Sequence, residues 1–100
     1  MPRSAPRLKA DFNGVFRSAD GLFLCLSHRE TCQDENDNDV VMTEGIVVTA
    51  FDLDDDEQGR PDNILATGTV ERAPDWLAHT GSRWVVRVDG RGIHHESDEV

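Results

Sequence analysis

The chain has 100 residues, of which 37% are apolar and 30% charged, with a formal net charge of −10. That length supports one hydrophobic core rather than two, and the apolar share lies below the globular average. No run approaches the roughly 20 apolar residues of a membrane-spanning helix, and a pI near 4.6 is opposite to the footprint of a nucleic-acid surface.

The charge is concentrated. Glu30 to Asp62 contains twelve acidic residues and one basic residue, Arg60, while the rest of the chain holds eight acids and nine bases. Asp outnumbers Glu by 13 to 7. Because Asp favours turns and caps over helix interiors, this bias puts the acids in loops.

In chain order, residues 1–9 contain two prolines and three cations and read as a flexible basic tail without the apolar centre of a secretory signal. The protein is accordingly expected in the cytoplasm, with Cys25 and Cys32 reduced rather than bridged. Phe12 to Phe16 predicts a first short strand, and Ser18 to Gly21 a turn. Gly21 to Ser27 is apolar on both faces and completes a hairpin. A polar loop, His28 to Asp39, leads into Val40 to Leu53, the longest β-prone run, in which Gly45 marks a bulge or bend. A second acidic loop, Asp54 to Asp62, precedes strand character from Asn63 to Arg72.

Pro74, Asp75 and Gly81 are placed to start and stop a helical turn near residues 74–78. Ser82 to Asp89 alternates, with Trp84, Val86 and Val88 on one face and Arg83, Val85 and Arg87 on the other. Asp89 to Gly92 predicts a hairpin turn returning through Ile93 to Ser97, with 98–100 a disordered end. The sum is an all-β domain over residues 10–97, expected as a small, partly open β-barrel of five to six antiparallel strands. A brief helical turn before the last long strand suits an SH3-like barrel, and an OB-like barrel usually carries a longer helix.

Candidate chemistry is sparse. Asp52, Asp54 and Asp56 have the first spacings of a calcium loop, but its glycine and bidentate-Glu positions hold Glu57 and Asn63, between strands rather than helices. Looser binding of a divalent cation by these carboxylates is the alternative function. Cys25, His28 and Cys32 are zinc-type ligands, yet they lack paired Cys-x-x-Cys knuckles and a fourth ligand nearby. His94 and His95 would point to opposite faces of a strand, and Ser82, His79 and Asp75 lack a nucleophile-elbow sequence. Arg83, Arg87 and Arg91 form a small basic stripe opposed by the acidic segment.

The sequence therefore points to a non-enzymatic binding or accessory module that needs no cofactor and engages neither membrane nor nucleic acid. Its expected partner is a basic protein surface. The expected contacts are Asp34, Glu35, Asp37 and Asp39 in the first loop and Asp54, Asp55, Asp56 and Glu57 in the second, with Trp76 as an aromatic anchor.

Overall fold

β-branched and aromatic residues recur along most of the chain, and a computed structural model, which describes residues 6–99, places strands where they do. In chain order these are β1 (Arg7–Lys9), β2 (Val15–Ser18), β3 (Gly21–Ser27), β4 (Thr31–Gln33), β5 (Asp39–Val41), β6 (Val47–Asp52), β7 (Ile64–Arg72), β8 (Trp84–Val88) and β9 (His94–His95). Two 3-10 helices, Asp75–Thr80 and Glu96–Glu99, complete the elements. No helix among the described residues is long and apolar enough to cross a membrane.

The principal sheet has seven strands in the order β1-β6-β7-β8-β3-β2, with β9 adding to β7. β4 and β5 form a separate two-stranded ribbon. Neighbours are antiparallel except β1 and β6, which run parallel. The all-β reading holds, but the sheet is open and does not close into a barrel, which corrects the expected partly open barrel of five to six antiparallel strands. Its outer strands, β1 and β2, have three and four residues and do not pair with each other. Between them the chain turns at Asp11, whose carboxylate accepts the Asn13 N–H at 2.9 Å and whose carbonyl accepts the Gly14 N–H at 3.0 Å. That turn also delays the first predicted strand from Phe12 to Val15.

Alternation gives the sheet two buried faces. One carries Leu24, Val48, Ala50, Val70, Trp84 and Val86, closed by Leu8 from β1 and by Cys32 and Met42 from the ribbon region. The other carries Phe23 and Val85, covered by Leu77 of the first 3-10 helix. Covering both faces explains why β3 and β8 are apolar at successive positions. The expected basic tail of residues 1–9 is corrected at its end: Arg7–Lys9 is β1, and Leu8 is fully buried. Residues 1–5 and Val100 of the expected termini lie outside the described residues, while Glu96–Glu99 is helical.

Two further expectations change for physical reasons. The long run from Val40 to Leu53 is two strands in different sheets, because Gly45 adopts φ 92° and redirects the chain from β5 to β6. Residues 89–92 do not reverse the chain into a hairpin. β8 already pairs on one side with β7 and on the other with β3, so it has no free edge. β7 extends beyond β8, and β9 continues along it to occupy Ile64 and Leu65.

Candidate functional site

The two acidic loops are built alike. In the first, at the tip of the β4–β5 ribbon, the Asp34 carboxylate accepts the N–H groups of Asn36 at 2.8 Å and Asn38 at 2.9 Å. In the second, the Asp56 carboxylate accepts the N–H groups of Gln58 and Arg60, both at 2.9 Å. Each loop thus uses one Asp to close itself on residues two and four positions later. The backbone N–H of Asn38 is the leading cause that holds the Asp34 carboxyl below its ordinary range.

Other acids are tied to neighbours. Asp37 pairs with Lys9, Asp56 also pairs with Arg60 at 3.3 Å, and Asp54 receives His95 Nε2 at 2.9 Å. Asp62 accepts the Ser97 N–H at 2.9 Å and its hydroxyl at 2.8 Å. Glu35, Asp39, Asp55 and Glu57 are exposed and make no side-chain hydrogen bond or ion pair among the described residues. The eight acids read as one class from sequence therefore divide into four that hold the loops in shape and four that face solvent.

β1 connects the supports of the two loops. Leu8 pairs with Ala50 of β6 and also bridges to Asp34, so this strand ties the foot of the first loop to the strand that launches the second. A cleft of about 450 Å³ results, bordered by Glu35 on the first loop and by Asp52, Leu53 and Asn63 at the base of the second. Arg7, Lys9, Ala10 and Phe51 complete its lining. Arg7 is paired with Glu96 at 3.2 Å and Lys9 with Asp37, which leaves Glu35 and Asp52 as the charges of the wall without an ion pair, Glu35 also without a side-chain hydrogen bond. Leu53 is 78% exposed and offers an apolar contact at the rim.

The candidate cation ligands are otherwise engaged. Asp52 accepts the N–H groups of Phe12 at 3.2 Å and Leu53 at 2.9 Å, while Asp54 and Asp56 have the partners given above. Among the described residues, no group of three or more His, Cys, Asp or Glu side chains is placed to hold a metal ion. Cys25 and Cys32 are both free thiols and pack on opposite faces of the sheet, so the two do not converge on one site with His28.

Trp76 is 43% exposed, but it sits at the far side of the sheet from β1. Its ring meets Phe16 and Phe23 edge-on at centroid distances of 6.4 and 5.7 Å. It caps the β2–β3 hairpin rather than joining the acidic loops. The basic stripe is also dispersed: Arg83 pairs with Glu30 at 3.1 Å and Arg87 with Glu71 at 2.6 Å. Those contacts lower the Glu30 pKa, chiefly through Arg83, and raise that of Arg87, chiefly through Glu71. Sequence reasoning missed Arg7, Lys9 and Phe51 as cleft residues. Their one signal was the short polar–apolar–polar alternation across Leu8.

His95 fastens the second loop to the chain's last elements. The hydrogen bond to Asp54 is the main cause that raises the His95 pKa, with Asp62 and Asp98 adding negative potential, and the same bond lowers that of Asp54. A raised histidine pKa contributes stability in full below its unfolded value of about 6.5 and loses it as pH rises through the higher folded value. The lowered Asp54 pKa contributes above the ordinary carboxylate range and is lost as pH falls through its folded value. The clasp is therefore strongest between these limits. NMR titration of the His95 ring is expected to give a midpoint above that of an unfolded peptide, and Asp54→Asn to bring it down. Equal midpoints in both proteins would contradict the clasp.

Compared with known proteins, the chain matches no family model, no curated protein and no solved structure.

Proposed function

We propose that this domain is a non-enzymatic accessory module that recognises an extended basic segment on a partner protein, seated between its two acidic loops. The observation that carries this reading is the cleft that Glu35 of the first loop lines together with Asp52, Leu53 and Asn63, which flank the second. Asp39, Asp55 and Glu57 are exposed elsewhere on the two loops and add to their negative charge, while Phe51 and Leu53 line the cleft and offer apolar contact to the partner's side chains. Unpaired surface carboxylates of this kind act mainly on association rate and partner choice. Loops already closed by Asp34 and Asp56 present their free acids with little ordering left to do.

The 3-10 helix ahead of β8 favours an SH3-like over an OB-like kinship for the sheet. Two unbridged cysteines are in keeping with a cytoplasmic setting.

A fluorescent ten-residue peptide of alternating arginine and leucine provides the test. Its affinity is expected to fall about tenfold or more between 50 and 300 mM salt, as screening shortens the reach of exposed charges. Converting Glu35 and Asp55 together to lysine is expected to weaken binding by a similar factor. Affinity indifferent to both salt and charge reversal would sink the proposal.

A further inference from the structure

The two ends of the principal sheet are finished differently. At one end the outer side of β1 is covered, because Leu8 bridges to Asp34, and cations flank the strand at Arg7 and Lys9. At the other end β2 pairs with β3 alone among the described residues. β2 lacks the usual protection of a free edge: it holds no proline or lysine, and its register with β3 is unbroken.

The alternation of main-chain hydrogen bonds shows which groups are free. The Cys25 N–H donates to Gly14 O at 2.8 Å, so Gly14, Phe16 and Ser18 turn their main-chain groups to β3. Val15 and Arg17 turn their N–H and C=O groups outward, where no strand among the described residues receives them. The Arg17 side chain is exposed and makes no ion pair or hydrogen bond among the described residues.

An aromatic patch borders the same edge. Phe16 is half-buried, and Trp76 and His79 meet its ring edge-on at centroid distances of 6.4 and 6.1 Å. Trp76 is 43% exposed and takes no part in the acidic cleft. A free strand edge beside such side chains suits strand addition, in which main-chain bonds supply affinity and the flanking side chains specificity.

Charge favours the chain itself as the added strand. Residues 11–29 hold two acids and two bases, so two copies meet at a neutral part of the chain, away from the acidic excess of residues 30–62. An extended basic segment would instead set its cations beside Arg17. We propose that the free edge of β2 is a self-association surface, where a second copy adds its own β2 antiparallel about a two-fold axis at Phe16. The axis stands perpendicular to the sheet, so each face of one copy continues into the same face of the other. Phe16 then opposes its counterpart in a non-hydrogen-bonded pair, where side chains approach most closely. Val15 pairs with Arg17 of the second copy, and the reverse, each pair exchanging both of its N–H···O bonds. The arginine stem covers the half-buried Val15 opposite it. An axis at Arg17 would oppose two guanidinium groups directly, which is destabilising. A four-residue strand with one aromatic patch is a small interface, so the dimer is weak, with a dissociation constant on the order of 100 µM.

Sedimentation equilibrium of the full chain from about 10 µM to about 1 mM is expected to show monomer passing to dimer. Both copies carry a charge of −10, so the dimer is expected to tighten as salt rises from about 50 to 300 mM and screens their repulsion. That sign is opposite to the one expected for a basic peptide in the acidic cleft, so the two readings succeed or fail separately. Val15→Pro removes an outward N–H at the first position of an edge strand, where proline is tolerated, and is expected to weaken the dimer about tenfold or more. Circular dichroism checks that the variant is folded. If it is not, isotope-filtered NMR on a mixture of labelled and unlabelled chains decides, with contacts expected between the Phe16 rings of the two copies. A chain still monomeric at about 1 mM overturns the proposal and leaves the edge to a different protein. It is also overturned by association that weakens with salt, that a folded Val15→Pro does not change, or that leaves the Val15 and Arg17 amides unshifted.

Discussion

Gly68→Ala is expected to destabilise the domain by about 3 kcal/mol or more, the scale of severe overpacking. Gly68 lies in the middle of β7, opposite Val48 on β6 and Val88 on β8. A Cβ there would fall on the Arg87 carbonyl oxygen, with the carbonyl carbon at 2.8 Å and Val86 Cγ1 at 2.9 Å. Two of these neighbours are backbone, so no side-chain rotation relieves the overlap, and β8 must move away from β7. Glycine within a strand marks such a close approach of a neighbouring backbone. For a domain of 100 residues the loss corresponds to a fall in Tm of at least about 12 °C. Thermal unfolding followed by circular dichroism measures it, with Gly90→Ala as the control, since nothing lies within 4 Å of a Cβ at that position. A fall at Gly68 no larger than at Gly90 would show that the two strands do not approach so closely.

Leu8→Ala is expected to cost about 2–5 kcal/mol, the range for emptying a fully buried leucine site. Leu8 is 0% exposed, and its strand is held to β6 by Thr49 N–H to Pro6 O at 2.9 Å and by Ala10 N–H to Phe51 O at 3.0 Å. The same residue bridges to Asp34, so its loss is also expected to loosen the foot of the first acidic loop and raise amide exchange from Asp34 to Asn38. Urea denaturation gives the energy and hydrogen exchange the local effect. A change within about 0.5 kcal/mol, the range of an ordinary surface substitution, would return residues 7–9 to the status of a tail.

Much of the architecture was legible because it depends on local pattern. Gly21–Ser27 was read to the residue, Ile64–Arg72 and Trp84–Val88 nearly so, and the helical turn after Pro74 appears as the 3-10 helix Asp75–Thr80. In each case strand-forming residues or helix-terminal signals act over neighbouring positions, which a single segment displays. β1 was not legible, since three residues show too little alternation and two cations flank its one buried leucine. The acidic spacing was visible, but its meaning was not. Asp56, read as part of a calcium-type spacing with Asp52 and Asp54, instead closes a turn on its own backbone.

By itself, the amino-acid sequence determined that this is an acidic, nearly all-β domain whose charge gathers in two loops between strands. Only the tertiary structure decided that the sheet stays open, because that depends on which strand edges are already occupied. Only it decided that the first loop and the residues flanking the second line one cleft, because β1 joins residues distant along the chain. Which carboxylates remain free was settled there as well, since Lys9, His95 and Ser97 reach Asp37, Asp54 and Asp62 through pairings that no local pattern contains.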